Sequence, residues 1–141
     1  MIASWLMMAA LGLVSAQDAP KIDEALLGTW EMIGVEHRGD VAPIETFKGA
    51  VLIIDRDGFT NKRGDRVGSK GKYIVRMDKS PKEIDRTFTE GALKDKTQKG
   101  IYEIKDDLLD ICVSAPGAPR PESFGTNKGE TNTHWLFRKK K

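Results

Sequence analysis

The chain has little of what catalysis and metal binding draw on. Among its 141 residues there is one cysteine, Cys112, so no disulfide can close within it. Its two histidines, His37 and His134, are far apart in sequence, with no cluster of acids or thiols beside them. No Cys or His pair stands at zinc-ligand spacing. There is no Gly-x-Ser-x-Gly elbow, no phosphate-cradling glycine loop and no calcium-loop pattern. The acidic pairs Asp55 with Asp57 and Asp106 with Asp107 fall where hairpins turn, which is ordinary turn chemistry. The expectation is a non-enzyme without catalytic residues, metal or cofactor.

Long hydrophobic runs are scarce as well. One covers residues 2–14, apolar apart from Ser4 and Gly12. A membrane-spanning helix needs about 20 residues, so this run is too short to be one. It ends in Val14-Ser15-Ala16, small or apolar at the −3 and −1 positions, and reads as a secretory signal peptide cut after Ala16. Its first residues lack Lys and Arg, which keeps an uncleaved anchor open as the alternative. No cysteine follows it, so no lipid anchor is expected. Residues 17–26 then form a lead-in and residues 27–139 a single domain. The expected product is an exported monomer, periplasmic or extracellular, with no stable membrane insertion once the leader is gone.

Excess charge of one sign is also missing. There are 23 basic and 21 acidic residues, a net charge of +2. Four of the 23 close the chain at 138–141, leaving 19 against 21 elsewhere. Such an end is a solubilising tail, and an exported chain meets little nucleic acid, so no nucleic-acid partner is expected.

What is present is alternation. Period-two runs occupy 29–37, 50–55, 59–62, 72–77, 83–88, 100–104, 108–113 and 134–138, with turn signals about every 8–12 residues. Asp57-Gly58 and Lys105-Asp106-Asp107 each join two runs as hairpins. Trp30, Met32 and Gly34 fall on one side of the first run, opposite Ile33 and Val35. Tyr73, Val75 and Met77 likewise stand against Lys72, Ile74 and Arg76. Residues 64–71 and 90–99 read as loops, the former a mobile lid or a long hairpin tip, and 120–124 as a short extended piece. About eight strands without a long helix make an antiparallel barrel or sandwich.

Three groups of residues stand out. Leu27-Gly28-Thr29-Trp30 opens the first strand. Gly28 permits a tight approach, and Trp30 supplies a ring wide enough to plug a barrel floor. Arg138, in the last strand, is the candidate cation to stack on that ring, the alternatives being a plain core tryptophan and a solvated tail. In Ile84-Asp85-Arg86 one charged side chain must point inward and the other outward. An inward Asp85 needs a cation, for which Arg120 is the candidate. Cys112, in Leu109-Asp110-Ile111-Cys112-Val113, is either a buried inert thiol or a reactive one with a cation nearby.

Leu27-Gly28-Thr29-Trp30, Pro81-Lys82-Glu83-Ile84-Asp85, Gly100-Ile101-Tyr102-Glu103-Ile104, Leu109 with Ile111-Cys112, Arg120-Pro121 with Phe124, and Leu136 with Arg138 follow in order. Together they resemble an uncharacterised lipocalin-like domain family, abundant in planctomycete bacteria and often found on exported proteins. The resemblance spans about residues 26–139. It implies a small antiparallel up-and-down β-barrel of about eight strands with room for an internal cavity, and supplies no reaction, ligand or partner.

Two functions from different classes fit. One is a binding module holding a small apolar or amphipathic molecule inside the barrel, lined by Met32, Tyr73, Val75, Tyr102 and Ile104. The other is a solid barrel, an interaction or envelope-structural module that recognises a protein partner through the 64–71 and 90–99 loops.

Overall fold

In β5 of the structure, Tyr73 and Val75 turn into the core while the intervening Ile74 is 59% exposed. The same two-residue alternation runs through most of the sheet, because successive side chains of a strand leave opposite faces. The structure, a computed structural model, describes residues 21–141. The expected signal peptide and the start of the lead-in lie outside the described residues.

The strands are β1 (Gly28–His37), β2 (Asp40–Val41), β3 (Ala50–Ile54), β4 (Phe59–Arg63), β5 (Arg66–Arg76), β6 (Lys82–Glu90), β7 (Thr97–Lys105), β8 (Leu108–Val113) and β9 (Thr133–Lys139). From β3 to β9 each pairs antiparallel with the next, β3 also pairs with β1, and β9 returns to β1. The result is a closed eight-stranded antiparallel barrel, with the two-residue β2 hooked onto the end of β1. Closure pairs both edges of the sheet and removes the exposed ladder groups that would otherwise template aggregation.

One end of the barrel is solid. Trp30, Leu52, Ile54, Phe59, Tyr102, Leu109, Ile111 and Phe137 form its packed interior, with Leu26 sealing it from a short 3-10 turn, Glu24–Leu26. Asp23 caps that turn, its Oδ1 accepting from the Ala25 N–H at 3.1 Å. Its Oδ2 accepts from the Tyr102 hydroxyl at 2.8 Å and from Lys82 Nζ at 3.1 Å. The lead-in is thus tied to β6 and β7 by one buried carboxylate.

Residues 114–132, between β8 and β9, wrap the outside of the wall. Ile101 and Cys112 face outward, in register with Glu83 and with each other, yet both are buried. This wrap is what covers them. Arg120 ties it down, lying 2.7 Å from Asp85 Oδ1 and donating to the Gly100 carbonyl at 2.8 Å.

Several expectations change. Residues 64–71 are not a loop, because β4 and β5 pair up to Arg63 and Arg66 and leave a two-residue tip. Residues 120–124 belong to the outer wrap and form no strand. A register shift between Met32 and Gly34 inverts the end of β1. Val35 rather than Gly34 then stands opposite Trp135, on the inner side.

Candidate functional site

The other end of the barrel is open. Its inward positions carry small or polar side chains, including Ala50 on β3, Asn61 on β4 and Ser69 on β5, the last two joined by a 2.8 Å hydrogen bond. Such residues cannot fill the space that Trp, Phe and Leu fill below. A cavity of about 530 Å³ remains, open to solvent, with Met32, Asn61, Arg86, Trp135 and Phe137 among its walls. That volume lies within the range of small-molecule sites, roughly 300–1,000 Å³.

Arg86 is the unusual group. It is 4% exposed and extends into the barrel, with Ile84 and Phe88 on the same face of β6. Its guanidinium carbon lies 5.2 Å from the ring centre of Phe59, 5.3 Å from Phe88 and 4.9 Å from Trp135. Phe59 and Phe88 meet edge to face at 5.3 Å. Nη2 donates to Gln98 Oε1 at 2.7 Å, while Nε is buried without a hydrogen-bond partner. Among the described residues no carboxylate forms an ion pair with Arg86. Burial alone lowers its pKa to about 10, which leaves it a cation at neutral pH.

The energetics are unbalanced. Burying an ion costs on the order of several kcal/mol even after relaxation. A ring face returns about 0.5–2 kcal/mol and a hydrogen bond to a charged group about 1.5–3. Three rings and one amide offset much of the cost and leave Nε unsatisfied. Around the cavity stand three further cations, Lys62, Arg63 and Arg66, and among the described residues no Asp or Glu contributes to its wall.

Most of the residues expected to line a cavity do not. Met32 does. Tyr73 donates its hydroxyl to the Asp55 carbonyl at 2.9 Å, and borders a small void of about 10 Å³ rather than the large cavity. Val75 and Tyr102 are buried in the solid half, and Ile104 packs against it. These four lie nearer the end that Trp30 plugs, where the large side chains converge.

The closure expectation also changes in one residue. Trp30 is buried and donates its indole N–H to the Leu26 carbonyl at 2.8 Å. The cation over its ring is Lys139, at 4.7 Å, and not Arg138. With Phe137 inward, alternation turns Arg138 outward and brings Lys139 back in. Asp85 and Arg120 do pair, but on the outer wall, because Arg86 takes the inward place. Arg120 Nε also lies 3.6 Å from Glu83, and Arg76 reaches Asp85 at 3.0 Å.

Arg86 was discoverable, since Ile84, Arg86 and Phe88 share one phase of the strand. Trp135 and Phe137 share another. What no local pattern carried was that β4, β6 and β9 present their rings to the same guanidinium. Cys112, under the wrap, has its thiol pushed up to about 11 by burial, with the Glu130 and Glu36 charges adding to the rise. His134 Nε2 and Asp110 Oδ1 lie 2.7 Å apart on the outer wall, beside Phe124.

A scan against protein-family models and searches of curated proteins and of solved structures return no match to this chain.

Proposed function

We propose that the protein is an exported, non-catalytic binding module that holds a small apolar or amphipathic molecule in the open half of its barrel. The observation that carries this reading is the division of the interior. One half is packed with large side chains, and the other is left as an open cavity of about 530 Å³ walled by Met32, Trp135 and Phe137. Leaving Met32, Trp135 and Phe137 around an open cavity forgoes the burial that large side chains filling it would give. A binding site accounts for that loss; a purely structural barrel does not. Export rests on the leader-like residues 2–14.

Native mass spectrometry of the chain from Gln17, purified without detergent, tests for a molecule that co-purifies and leaves on denaturation. Titration with N-phenyl-1-naphthylamine, an uncharged probe that brightens in apolar sites, tests the cavity independently of the expression host. Saturable one-to-one binding, weakened at least tenfold by Met32→Trp, is expected. Absence of saturable binding in the folded protein overturns the reading.

A further inference from the structure

We infer that the ligand is an amphipathic anion, a single carboxylate-type head on an apolar body, whose head is bound by Arg86. This rests on the cavity being a ligand site and adds the chemistry of what enters it. Arg86 belongs to the cavity wall, is almost fully buried, and among the described residues its guanidinium has one protein hydrogen bond for five N–H donors. Phe59, Phe88 and Trp135 hold it by ring faces, which fix its position and accept little from its edge. Its in-plane donors therefore remain the groups to satisfy. A carboxylate matches them through two parallel hydrogen bonds and supplies the missing charge.

The rest of the wall agrees in sign. Lys62, Arg63 and Arg66 stand with Arg86 around the cavity, and no Asp or Glu of the described residues lines it. A cleft lined by one sign of charge concentrates ligands of the other. Met32, Trp135 and Phe137 then meet an apolar body. A neutral lipid or sterol would leave the guanidinium unanswered, and a cationic amphiphile would oppose it.

The test is displacement of N-phenyl-1-naphthylamine from the wild-type protein by dodecanoate, 1-dodecanol and dodecylamine, which differ only in the head. Dodecanoate is expected to bind at least tenfold more tightly than dodecanol, and dodecylamine most weakly. Arg86→Met is expected to bring dodecanoate and dodecanol within about twofold of each other. The wild-type comparison does not depend on that variant folding. As a second readout, the Arg86 Nε–H resonance of the wild type should shift with dodecanoate and stay put with dodecanol. Equal affinity for acid and alcohol in a protein that binds the probe overturns the anion inference and leaves the cavity reading standing. Failure to bind the probe at all removes the cavity reading itself.

Discussion

The ammonium of Lys139 stands 4.7 Å from the centre of the Trp30 ring and donates to the Leu27 carbonyl at 2.5 Å. First and last barrel strands are thus clamped at the solid end by one cation acting on a ring face and a main-chain oxygen. Lys139→Met keeps the stem and removes the charge. It should cost about 0.5–2 kcal/mol in urea denaturation. Arg138→Met, one residue earlier and exposed, should stay within about 0.5 kcal/mol. Equal effects would show that the clamp adds nothing.

Gly28 makes the clamp possible. Its φ is +135°, and a Cβ there would lie 2.8 Å from Lys139 Cε. Gly28→Ala should destabilise the protein by about 1–3 kcal/mol, through backbone strain and displacement of the lysine together. A melting temperature equal to that of the wild type would contradict this.

Asp23 predicts an acid limb to stability. Burial by itself would raise its carboxyl. The hydrogen bonds from Tyr102, Lys82 and the Ala25 N–H outweigh that and hold it below its ordinary value of 3.8. A carboxyl lowered on folding contributes stability that is present above its unfolded value and lost as pH falls through the folded one. The contribution should be whole at neutral pH and fade below about pH 4. Asp23→Asn should cost about 1–3 kcal/mol at pH 7 and flatten the acid side of the profile. Parallel acid limbs for wild type and variant would refute the assignment.

The outer wrap should protect Cys112. Buried and raised to about 11, the thiol is scarcely ionised at pH 8 and should resist Ellman's reagent until the protein unfolds. Arg120→Ala removes the anchor on Asp85 and the Gly100 carbonyl. It should speed labelling by roughly tenfold, as about 1.4 kcal/mol of lost closure implies, and raise hydrogen exchange across residues 114–132. Rapid labelling of the wild type would mean that the wrap is open in solution.

Much of the barrel was legible locally. Tyr73 and Val75 against Ile74, the Asp57-Gly58 turn and the turn at Asp106-Asp107 each follow from two-residue alternation and hairpin chemistry, which operate within a few residues. The site was less so. Met32 was placed in the cavity and Tyr73, Val75, Tyr102 and Ile104 were not, because alternation says which face a residue is on and nothing of its height along the barrel. Arg138 was exchanged for Lys139 by the same alternation, once Phe137 was known to be inward.

The sequence by itself determined an all-β chain whose strands could close, since side-chain period and turn residues are properties of short segments. Tertiary structure decided the rest. The shift between Met32 and Gly34 reset which residues of β1 face Trp135. Closure of β9 on β1 put Lys139 over Trp30. The meeting of β4, β6 and β9 gathered Phe59, Phe88 and Trp135 around Arg86. Trp30 and Lys139, 109 residues apart, and Arg86 and Trp135, 49 apart, become neighbours only when the sheet closes, and the fit of large side chains at one end and small ones at the other left the cavity where the cation stands.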